Sequence, residues 1–376
     1  MNAVFLIGSG ASKPADMPMV PKISDQAFCG DGAWRHTDGR YYLGGNPGGI
    51  PQDLTEQVIA FVGRLRQVAD DYLADFMSGA SSDYEQVANL AAQVEDAISG
   101  EYETPGLAPL LHNLQCDFAS DPAGLARLAG EARHYIADTA SEMLGQPVKT
   151  VDHLRPITDA CSGLERVGLF DLNHDRVLET ALEHRGIDYS DGFGPLDGDV
   201  RFWADTFDGT VRLLKLHGST RWFRYENPEA AIPRWRIARV ATNDPDHARS
   251  SAEVDLGCPD RPVLLIGTST KALGYGSGIF ADQHFRFHDE LRATDRAVTI
   301  GYGFRDKAIN SRLIDWLECA PHRRILVVDP DASSLPTRAR PAIAHHWAHW
   351  RSSDRLRVVE QGIEETNWNE LQDALG

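Results

Sequence analysis

The chain has 376 residues, enough for one large domain or two modest ones, each with a proper core. Its 42% hydrophobic and 24% charged residues are typical of a globular protein and exclude fibrous, low-complexity and largely disordered classes. The formal net charge of −18, without any basic block, argues against a protein that coats nucleic acid.

Six short segments of continuously apolar sequence predict buried parallel strands, because strands covered on both faces lack polar alternation. They span residues 4–7, 167–172, 211–216, 263–266, 297–300 and 325–328. Between the first two segments, apolar side chains recur with a helical period. We expect a helix over 53–77 capped by Asp53, a second from a capping box at 82–85 through residue 98, and a third from Asp121-Pro122 to about Leu144.

Three later segments carry weaker signals. Residues 189–209 predict an irregular loop, residues 225–260 a long polar connection with small elements or a flap, and residues 362–375 a short terminal helix. Strands that alternate with helices predict an α/β fold, in which a Rossmann-type parallel sheet of about six strands has helices on both faces. We assign this sheet domain to residues 1–51 and 161–376, with an inserted helical subdomain at 52–160.

The five cysteines lie far apart, without any Cys-x-x-Cys pair, so they predict neither a disulfide framework nor a zinc ribbon. Such cysteine usage favours a reducing compartment. The apolar runs are far shorter than the ~20 residues needed to cross a bilayer, and the N-terminal segment lacks the basic region of a secretory signal. We therefore expect a cytoplasmic protein without membrane contact.

A glycine-containing loop, Gly8-Ser9-Gly10-Ala11-Ser12, follows the first predicted strand directly. Glycines at such a place let the backbone approach a pyrophosphate closely. The dinucleotide-binding pattern would have a third glycine at position 13, where Lys13 stands. An ordinary strand-to-turn junction explains the two glycines equally well, so the loop alone leaves both interpretations open.

Polar residues follow four further predicted strands, at 171–175, 215–219, 301–306 and 329–331. The carboxyl ends of parallel strands meet at one edge of a doubly wound sheet, so we expect these residues to gather near the glycine loop. The pattern predicts a nucleotide-binding crevice at that edge.

Several motifs occur in a fixed order along most of the chain: Gly8-Ser9-Gly10-Ala11-Ser12 with Met17-Pro18, Asp83-Tyr84-Glu85, Asn173-x-Asp175-Arg176-Val177-Leu178-Glu179, Lys215-Leu216-His217-Gly218-Ser219, Val263-Leu264-Leu265-Ile266-Gly267-Thr268 with Lys271, and Gly301-Tyr302-Gly303-Phe304-x-Asp306 with Asn310. This series resembles the bacterial sirtuin-like branch of the sirtuin fold. No single motif is specific, but their order is hard to assemble by chance.

The resemblance implies an NAD⁺ glycohydrolase (NADase), which cleaves NAD⁺ to nicotinamide and ADP-ribose without a metal. It implies Asn173 and His217 as the catalytic residues. The residues that it implies for binding the nucleotide are Gly8, Ser9, Gly10, Ala11, Ser12, Asp175, Gly301, Tyr302, Phe304 and Asp329. It further implies a bacterial anti-phage defence effector that depletes NAD⁺, assembles as a homo-oligomer and in some cases works beside a HerA-type ATPase.

The chain departs from sirtuins at three places, one of which is Asp171, where the family often has Thr. Residues 16–21 replace the Gly-Ile-Pro-Asp-Phe-Arg stretch, so an arginine that contacts the nucleotide is missing. The four-cysteine zinc module is also absent from the sequence. The resemblance therefore supports NAD binding more than protein deacylation, and an NAD-dependent protein deacylase and a non-catalytic sensor of NAD or ADP-ribose stay as alternatives.

These residue types suit cleavage of a nicotinamide riboside bond. Nicotinamide leaves NAD⁺ as a neutral ring, so no acid has to protonate it, unlike the leaving group of an ordinary glycoside. An asparagine can orient a water or the ribose hydroxyls, and a histidine with an ordinary pKa of ~6.5 can accept a proton near neutral pH.

Structural roles compete with each of these assignments. Asn173 and Asp175 can cap the helix that follows them, and Asp306 and Asn310 can do so for a later helix. The cluster at residues 345–350 contains three histidines, two of them spaced i, i+4, but it lacks an acidic or cysteine partner and favours packing over a metal site.

Overall fold

The computed structural model describes residues 2–77, 81–226, 235–241 and 261–376. The chain forms two compact units: Met1–Met17, Gln146–Leu264 and Gly274–Gly376 make up the first, and Pro18–Gly145 and Leu265–Leu273 the second. The sequence predicts an inserted helical subdomain with boundaries at 51/52 and 160/161.

The described residues contain twelve strands. In chain order they are β1 Asn2–Ile7, β2 Trp34–Arg35, β3 Tyr41–Tyr42, β4 Arg166–Asp171, β5 Gly192–Asp197, β6 Val200–Thr206, β7 Val211–Lys215, β8 Trp222–Glu226, β9 Trp235–Val240, β10 Arg296–Ile300, β11 Arg324–Val328 and β12 Leu356–Val359.

Thirteen α-helices lie within the same described ranges. They are α1 Val20–Cys29, α2 Asp53–Phe76, α3 Tyr84–Ser99, α4 Ala108–Phe118, α5 Pro122–Leu144, α6 Arg155–Gly163, α7 Val177–His184, α8 Ser269–Gly274, α9 Gly278–Arg292, α10 Lys307–Glu318, α11 Leu335–Arg338, α12 Pro341–Ser352 and α13 Trp368–Leu375. Short 3₁₀ turns occur at Ser9–Ala15, Pro105–Leu107, Asp152–Leu154 and Ile363–Glu365. None of these helices is both long and apolar enough to cross a membrane.

The first unit is built on a six-stranded sheet in the order β12-β11-β10-β1-β4-β7, with every pair parallel. From β1 the chain first adds β4 and β7 on one side of the sheet and later β10, β11 and β12 on the other side, as in dinucleotide-binding folds. The point where the strand order reverses, called the switch point, lies between the carboxyl ends of β1 and β10. The predicted α/β fold with a Rossmann-type sheet of six strands is confirmed. The sequences of its strands are continuously apolar because helices cover both faces of the sheet.

Five of the six predicted strands are confirmed, and the one at 263–266 is wrong. In that segment Leu264 makes a single bridge to Gly218, and the chain enters the second unit at Leu265, so no parallel partner is present. The sixth strand is β12, whose arginine and half-exposed edge position hide the apolar pattern.

The predicted loop over residues 189–209 is also wrong, because β5 and β6 lie there in an antiparallel sheet of order β5-β6-β9-β8. Alternate residues of this sheet share a small apolar cluster, formed by Val200, Phe202, Phe223, Tyr225, Ala238 and Val240. The Gly- and Asp-rich turns between them conceal the period of two. Of the predicted polar connection, residues 227–234 and 242–260 lie outside the described residues.

The second unit contains α1 to α5 and the hairpin of β2 and β3. The three helices predicted from periodicity are confirmed, but two of their caps differ. The N-cap residue of α2 is Gln52, whereas the prediction was Asp53. The capping box of α3 joins Asp83 to Gln86, one residue later than expected. Asp121 caps α5 by accepting a hydrogen bond from the Gly124 amide.

Two loops pack backbone against backbone at the switch point of the first unit. The Gly8 amide donates to the Ile300 carbonyl at 2.9 Å, and the Gly10 amide to the Gly301 carbonyl at 3.0 Å. A Cβ on Gly8 would lie 2.6 Å from the Gly301 oxygen, and one on Gly10 would lie 2.7 Å from the Gly301 Cα. Close packing of the two loops therefore requires glycine here, independently of any ligand.

We expect Gly301→Ala to destabilise the first unit by more than about 2 kcal/mol, since its backbone is left-handed (φ +58°) and a Cβ would lie 2.4 Å from the Ala11 nitrogen. Gly303→Ala is the matched control in the same loop, because its Cβ would meet no atom nearer than 3.9 Å. Urea unfolding followed by tryptophan fluorescence measures the loss, since every tryptophan except Trp34 belongs to the first unit. Equal stability of the two variants would contradict the packing argument.

Candidate functional site

Asn173 follows β4 and connects the second strand end to the glycine loop. Its side chain is buried, and Nδ2 donates to the Gly8 carbonyl and to the Ser12 hydroxyl, both at 3.1 Å. Its backbone amide donates to Asp171 Oδ1 at 2.9 Å, which fixes the turn after the strand. The predicted catalytic amide therefore lies against the predicted nucleotide loop.

Asp175 holds Ser12, which in turn contacts Asn173. Its carboxylate accepts a hydrogen bond from the Val177 amide at 3.0 Å and a second from the Ser12 hydroxyl. Since Ser12 also accepts from Asn173, the three side chains form a chain of hydrogen bonds that sets the orientation of the amide. Burial raises the pKa of Asp175, although the Lys215 ammonium opposes the shift. The N-cap position of α7 is occupied by Arg176 without a side-chain cap, so Asp175 contacts the first residue of the helix from one position before the cap while it also holds Ser12.

A buried lysine holds the ends of β4 and β7 together. Lys215 Nζ lies 2.8 Å from Asp171 Oδ2, 2.6 Å from the Asp175 carbonyl and 3.3 Å from Glu179 Oε2. Burial alone would lower the pKa of Lys215, but the surrounding carboxylates outweigh it and raise the pKa above the ordinary value. Lys215 therefore stays charged, and its charge is balanced inside the protein.

His217 lies two residues beyond the end of β7, and only 5% of its surface is exposed. Its Nδ1 donates to the Leu172 carbonyl at 3.0 Å. Leu172 immediately precedes Asn173, so the imidazole contacts the residue next to the one that carries the predicted catalytic amide. The structure thus brings His217, Asn173 and the glycine loop together, as the edge argument requires.

The Nε2 side of His217 faces two oxygen atoms. Tyr275 Oη lies 2.6 Å from Nε2 and 2.6 Å from Asp306 Oδ2, and that Asp306 oxygen lies 3.3 Å from Nε2. Burial works against the charge of Asp306, yet its hydrogen bond to His217 and the charge of the imidazole lower its pKa well below the ordinary value. The other oxygen of Asp306 caps α10 by accepting from the Ala308 and Ile309 amides, as the capping alternative expects.

The remaining predicted nucleotide residues lie at the ends of β10 and β11. Gly301 packs on the glycine loop, whereas the side chains of Tyr302 and Phe304 belong to the apolar core, with ring centroids 4.8 Å apart. The Tyr302 hydroxyl donates to Asn310 Oδ1 at 2.8 Å. Asp329 is half-buried at the end of β11, where it accepts from the Asp331 amide. Any contact of Tyr302 and Phe304 with a nucleotide would therefore come from their main chain.

Three residues near this cluster are not marked by any pattern in the sequence. The buried ring of His284 lies 3.7 Å from that of Tyr275, centroid to centroid, and His153 contacts the Ala11 carbonyl with its Nε2 at 2.9 Å. Tyr275 lies in a Gly-Tyr-Gly segment with no strand or motif to mark it. Their distance in sequence from the motifs explains why only tertiary structure reveals them.

The histidine cluster of α12 lies elsewhere on the first unit. The ring of His346 stacks on Trp350 at 5.0 Å with an interplanar angle of 10°, and His345 and His349 are exposed. Throughout the described ranges, no group of three His, Cys, Asp or Glu side chains is arranged to hold a metal ion.

Residues 167–351 match the SIR2-like domain family. This SIR2-like segment, residues 167–351, is slightly under half of the chain and contains Asn173, His217, Tyr275 and Asp306. The chain is thus similar to this family over the region that carries its central site, in agreement with the predicted sirtuin resemblance.

Solved structures give weaker similarities. A Sir2 homologue variant in complex with ADP-ribose has 12% identity and a TM-score of 0.42, covering 99% of this chain and 91% of that chain. A Sir2 homologue–NAD complex has 12% identity and a TM-score of 0.40, with 99% and 89% covered. Sir2Tm bound to a propionylated peptide has 10% identity and a TM-score of 0.33, with 94% and 93% covered. Among curated proteins, no significant match was found.

We expect Lys215→Met to destabilise the first unit by about 3–5 kcal/mol, because it leaves buried carboxyl groups without their cation. The loss should be smaller at pH 5 than at pH 8, because burial raises the pKa of Asp171 to about 7 and its carboxyl group, once protonated, no longer needs the cation. Lys149→Met is the matched control: its partner Asp16 is 71% exposed, and such pairs contribute less than about 1 kcal/mol. Urea unfolding at both pH values distinguishes the two variants.

His284 makes the first unit sensitive to acid. Burial lowers its pKa to about 3, from an ordinary 6.5, so the unfolded chain binds this proton first as the pH falls. The stability associated with the neutral ring is complete above pH 6.5 and is lost as the pH falls towards the folded pKa, at roughly 1.4 kcal/mol per pH unit.

We therefore expect the free energy of unfolding to fall by about 2 kcal/mol more in the wild type than in His284→Gln between pH 6.5 and pH 5. His322→Gln is the control, since the His322 side chain is 64% exposed. Equal acid sensitivity of the wild type and His284→Gln would show that the buried ring is not the cause.

Proposed function

We propose that this chain is an NAD⁺ glycohydrolase, which cleaves NAD⁺ to nicotinamide and ADP-ribose. The observation that carries the proposal is the convergence of His217, Asn173 and the glycine loop at the switch point of a Rossmann-ordered sheet. The match of residues 167–351 to the SIR2-like domain family supports it.

The glycine loop suits a dinucleotide in charge as well as in position. Residues 8–15 contain no carboxylate, although the whole chain carries a formal net charge of −18. Ser9 and Lys13 are exposed on this loop, and its buried Ser12 is already fixed by Asn173. A diphosphate approaching here meets polar and cationic groups on a loop whose shape is set before binding.

The reaction needs little from the protein beyond orientation and one proton acceptor. As the bond between C1′ and the nicotinamide nitrogen breaks, its electron pair goes to nicotinamide, which leaves neutral. A water oxygen then bonds to C1′, and His217 takes the proton that this water releases. Asn173, held by Gly8 and Ser12, orients the ribose or the water, and burial of the site excludes bulk solvent.

The biological setting follows the resemblance. We place the enzyme in the cytoplasm as an anti-phage effector that depletes NAD⁺, assembled as a homo-oligomer and in some cells beside a HerA-type ATPase. Such an activity has to stay silent until it is triggered. The alternatives, a protein deacylase and a sensor without chemistry, are outcomes of the experiment below.

Purified full-length chain incubated with NAD⁺ should release nicotinamide and ADP-ribose in equal amounts without any acylated peptide. His217→Ala and Asn173→Ala should each lower the rate by at least a hundredfold, as expected for loss of a general base or a positioning group. His322→Ala, an exposed histidine of the same unit, should retain the wild-type rate. Chromatography of the products measures all four proteins, and circular dichroism confirms their folding.

Three results would contradict the proposal. Release of nicotinamide only with an acylated peptide would make the chain a deacylase. Tight binding of NAD⁺ without turnover, including in the presence of a partner ATPase, would make it a sensor. Wild-type rates in His217→Ala or Asn173→Ala would remove that residue from the mechanism.

A further inference from the structure

The hydrogen atoms around His217 can be counted from the contacts. A carbonyl oxygen only accepts, so the 3.0 Å contact with the Leu172 carbonyl places a proton on Nδ1. On the other side, Tyr275 Oη has one hydrogen to give, and it lies 2.6 Å from both Nε2 and Asp306 Oδ2. The protonation of Nε2 therefore depends on which neighbour receives that hydrogen.

Asp306 is the stronger acceptor. It sits at the N-terminus of a twelve-residue helix and accepts two backbone amides, contacts that favour the ionised carboxylate. If Tyr275 gave its hydrogen to Nε2 instead, two oxygens 2.6 Å apart would face each other with no hydrogen between them. When the Tyr275 hydroxyl donates its hydrogen bond to Asp306, it has no hydrogen left for Nε2. Nε2 then faces two oxygen atoms and is itself the donor.

Two further histidines lie near His217. The ring of His174 lies 6.2 Å away, centroid to centroid. His284, on α9, packs on Tyr275 and is neutral near pH 7, because burial lowers its pKa to about 3. Asp306 brings a carboxylate oxygen to 3.3 Å from Nε2 of His217.

We propose that Tyr275 and Asp306 are positioning residues that hold His217 protonated at both ring nitrogens, with Nε2 covered by the Tyr275 hydroxyl. The inference rests on the proposed function only in giving His217 the task of accepting a proton. In this arrangement the ring is an acid. It becomes a base only after the hydroxyl moves away and the Nε2 proton passes to a water molecule that takes the place of the hydroxyl.

The sequence around Tyr275 allows such a movement. Tyr275 stands between Gly274 and Gly276, and Gly278 follows in a left-handed conformation (φ +54°). Its ring is nearly parallel to that of His217, with an interplanar angle of 11°. A water or a ribose hydroxyl that replaces Tyr275 Oη at Nε2 would then have a base beside it.

Titration of the full-length chain by NMR, without NAD⁺, tests the proposal. The His217 ring signals, assigned by their loss in His217→Gln, should show both nitrogens protonated at pH 7 and a titration midpoint at least one unit above the ordinary ~6.5. Asp306→Asn keeps a good helix cap but removes the charge, so it should lower the midpoint by at least one unit, a tenfold loss of proton affinity.

Tyr275→Phe keeps the ring but leaves only the longer contact of 3.3 Å between Nε2 and Asp306. Its midpoint should lie between those of the wild type and Asp306→Asn. Asp295→Asn is the matched control, because Asp295 pairs with the exposed His322, and it should leave the His217 midpoint unchanged. A wild-type midpoint at or below ~6.5, or identical midpoints in the wild type, Tyr275→Phe and Asp306→Asn, would overturn the proposal.

Kinetics then connect the proton to the reaction. The acid limb of the pH profile of kcat/KM should move to lower pH in Asp306→Asn by the same amount as the midpoint in the NMR titration. The titration itself uses no NAD⁺. An absence of nicotinamide release would therefore count against the proposed function while the order of the midpoints still decided the roles of Tyr275 and Asp306.

Discussion

The buried ammonium of Lys215 is the interaction on which the candidate site depends. It lies at the junction of β4, β7 and the start of α7, and it contacts two buried carboxylates and one backbone carbonyl. Because Asp171 also fixes the amide of Asn173, the lysine determines where the turn after β4 can run. Removal of one charge from such a set is costly, since the remaining charges stay buried.

The glycine loop shows how a motif associated with ligands can have a structural cause. Gly8 and Gly10 leave room for the backbone at Gly301, and a methyl group at either position would collide with it. The close approach of the two loops brings the ends of β1 and β10 together at the switch point. A nucleotide bound there would use a surface that packing has already shaped, so the packing and binding roles of the glycines support each other.

The surroundings of His217 connect structure with regulation. The proposed NAD⁺ glycohydrolase would need little activity at rest. In the proposed arrangement, His217 stays protonated and is covered by Tyr275, which stands between two glycines, and the side chains of His217, Tyr275 and Asp306 would together give that property. The same arrangement would respond to pH and to movement of the segment at 274–278, which lies within the part of the chain similar to the SIR2-like family.

The sequence by itself determined the sheet and most of its edge. Continuous apolar runs revealed five of the six parallel strands, because burial on both faces leaves a pattern that neighbours in sequence can show. The order of the polar motifs after them located Asn173, His217 and the glycine loop at one edge. Tertiary structure decided what depends on distant residues: β12 and the antiparallel sheet, the bridge at Leu264, and the Tyr275 and Asp306 contacts of His217. Contacts between side chains 31 to 58 residues apart leave no periodicity in the sequence, so only the folded chain could reveal them.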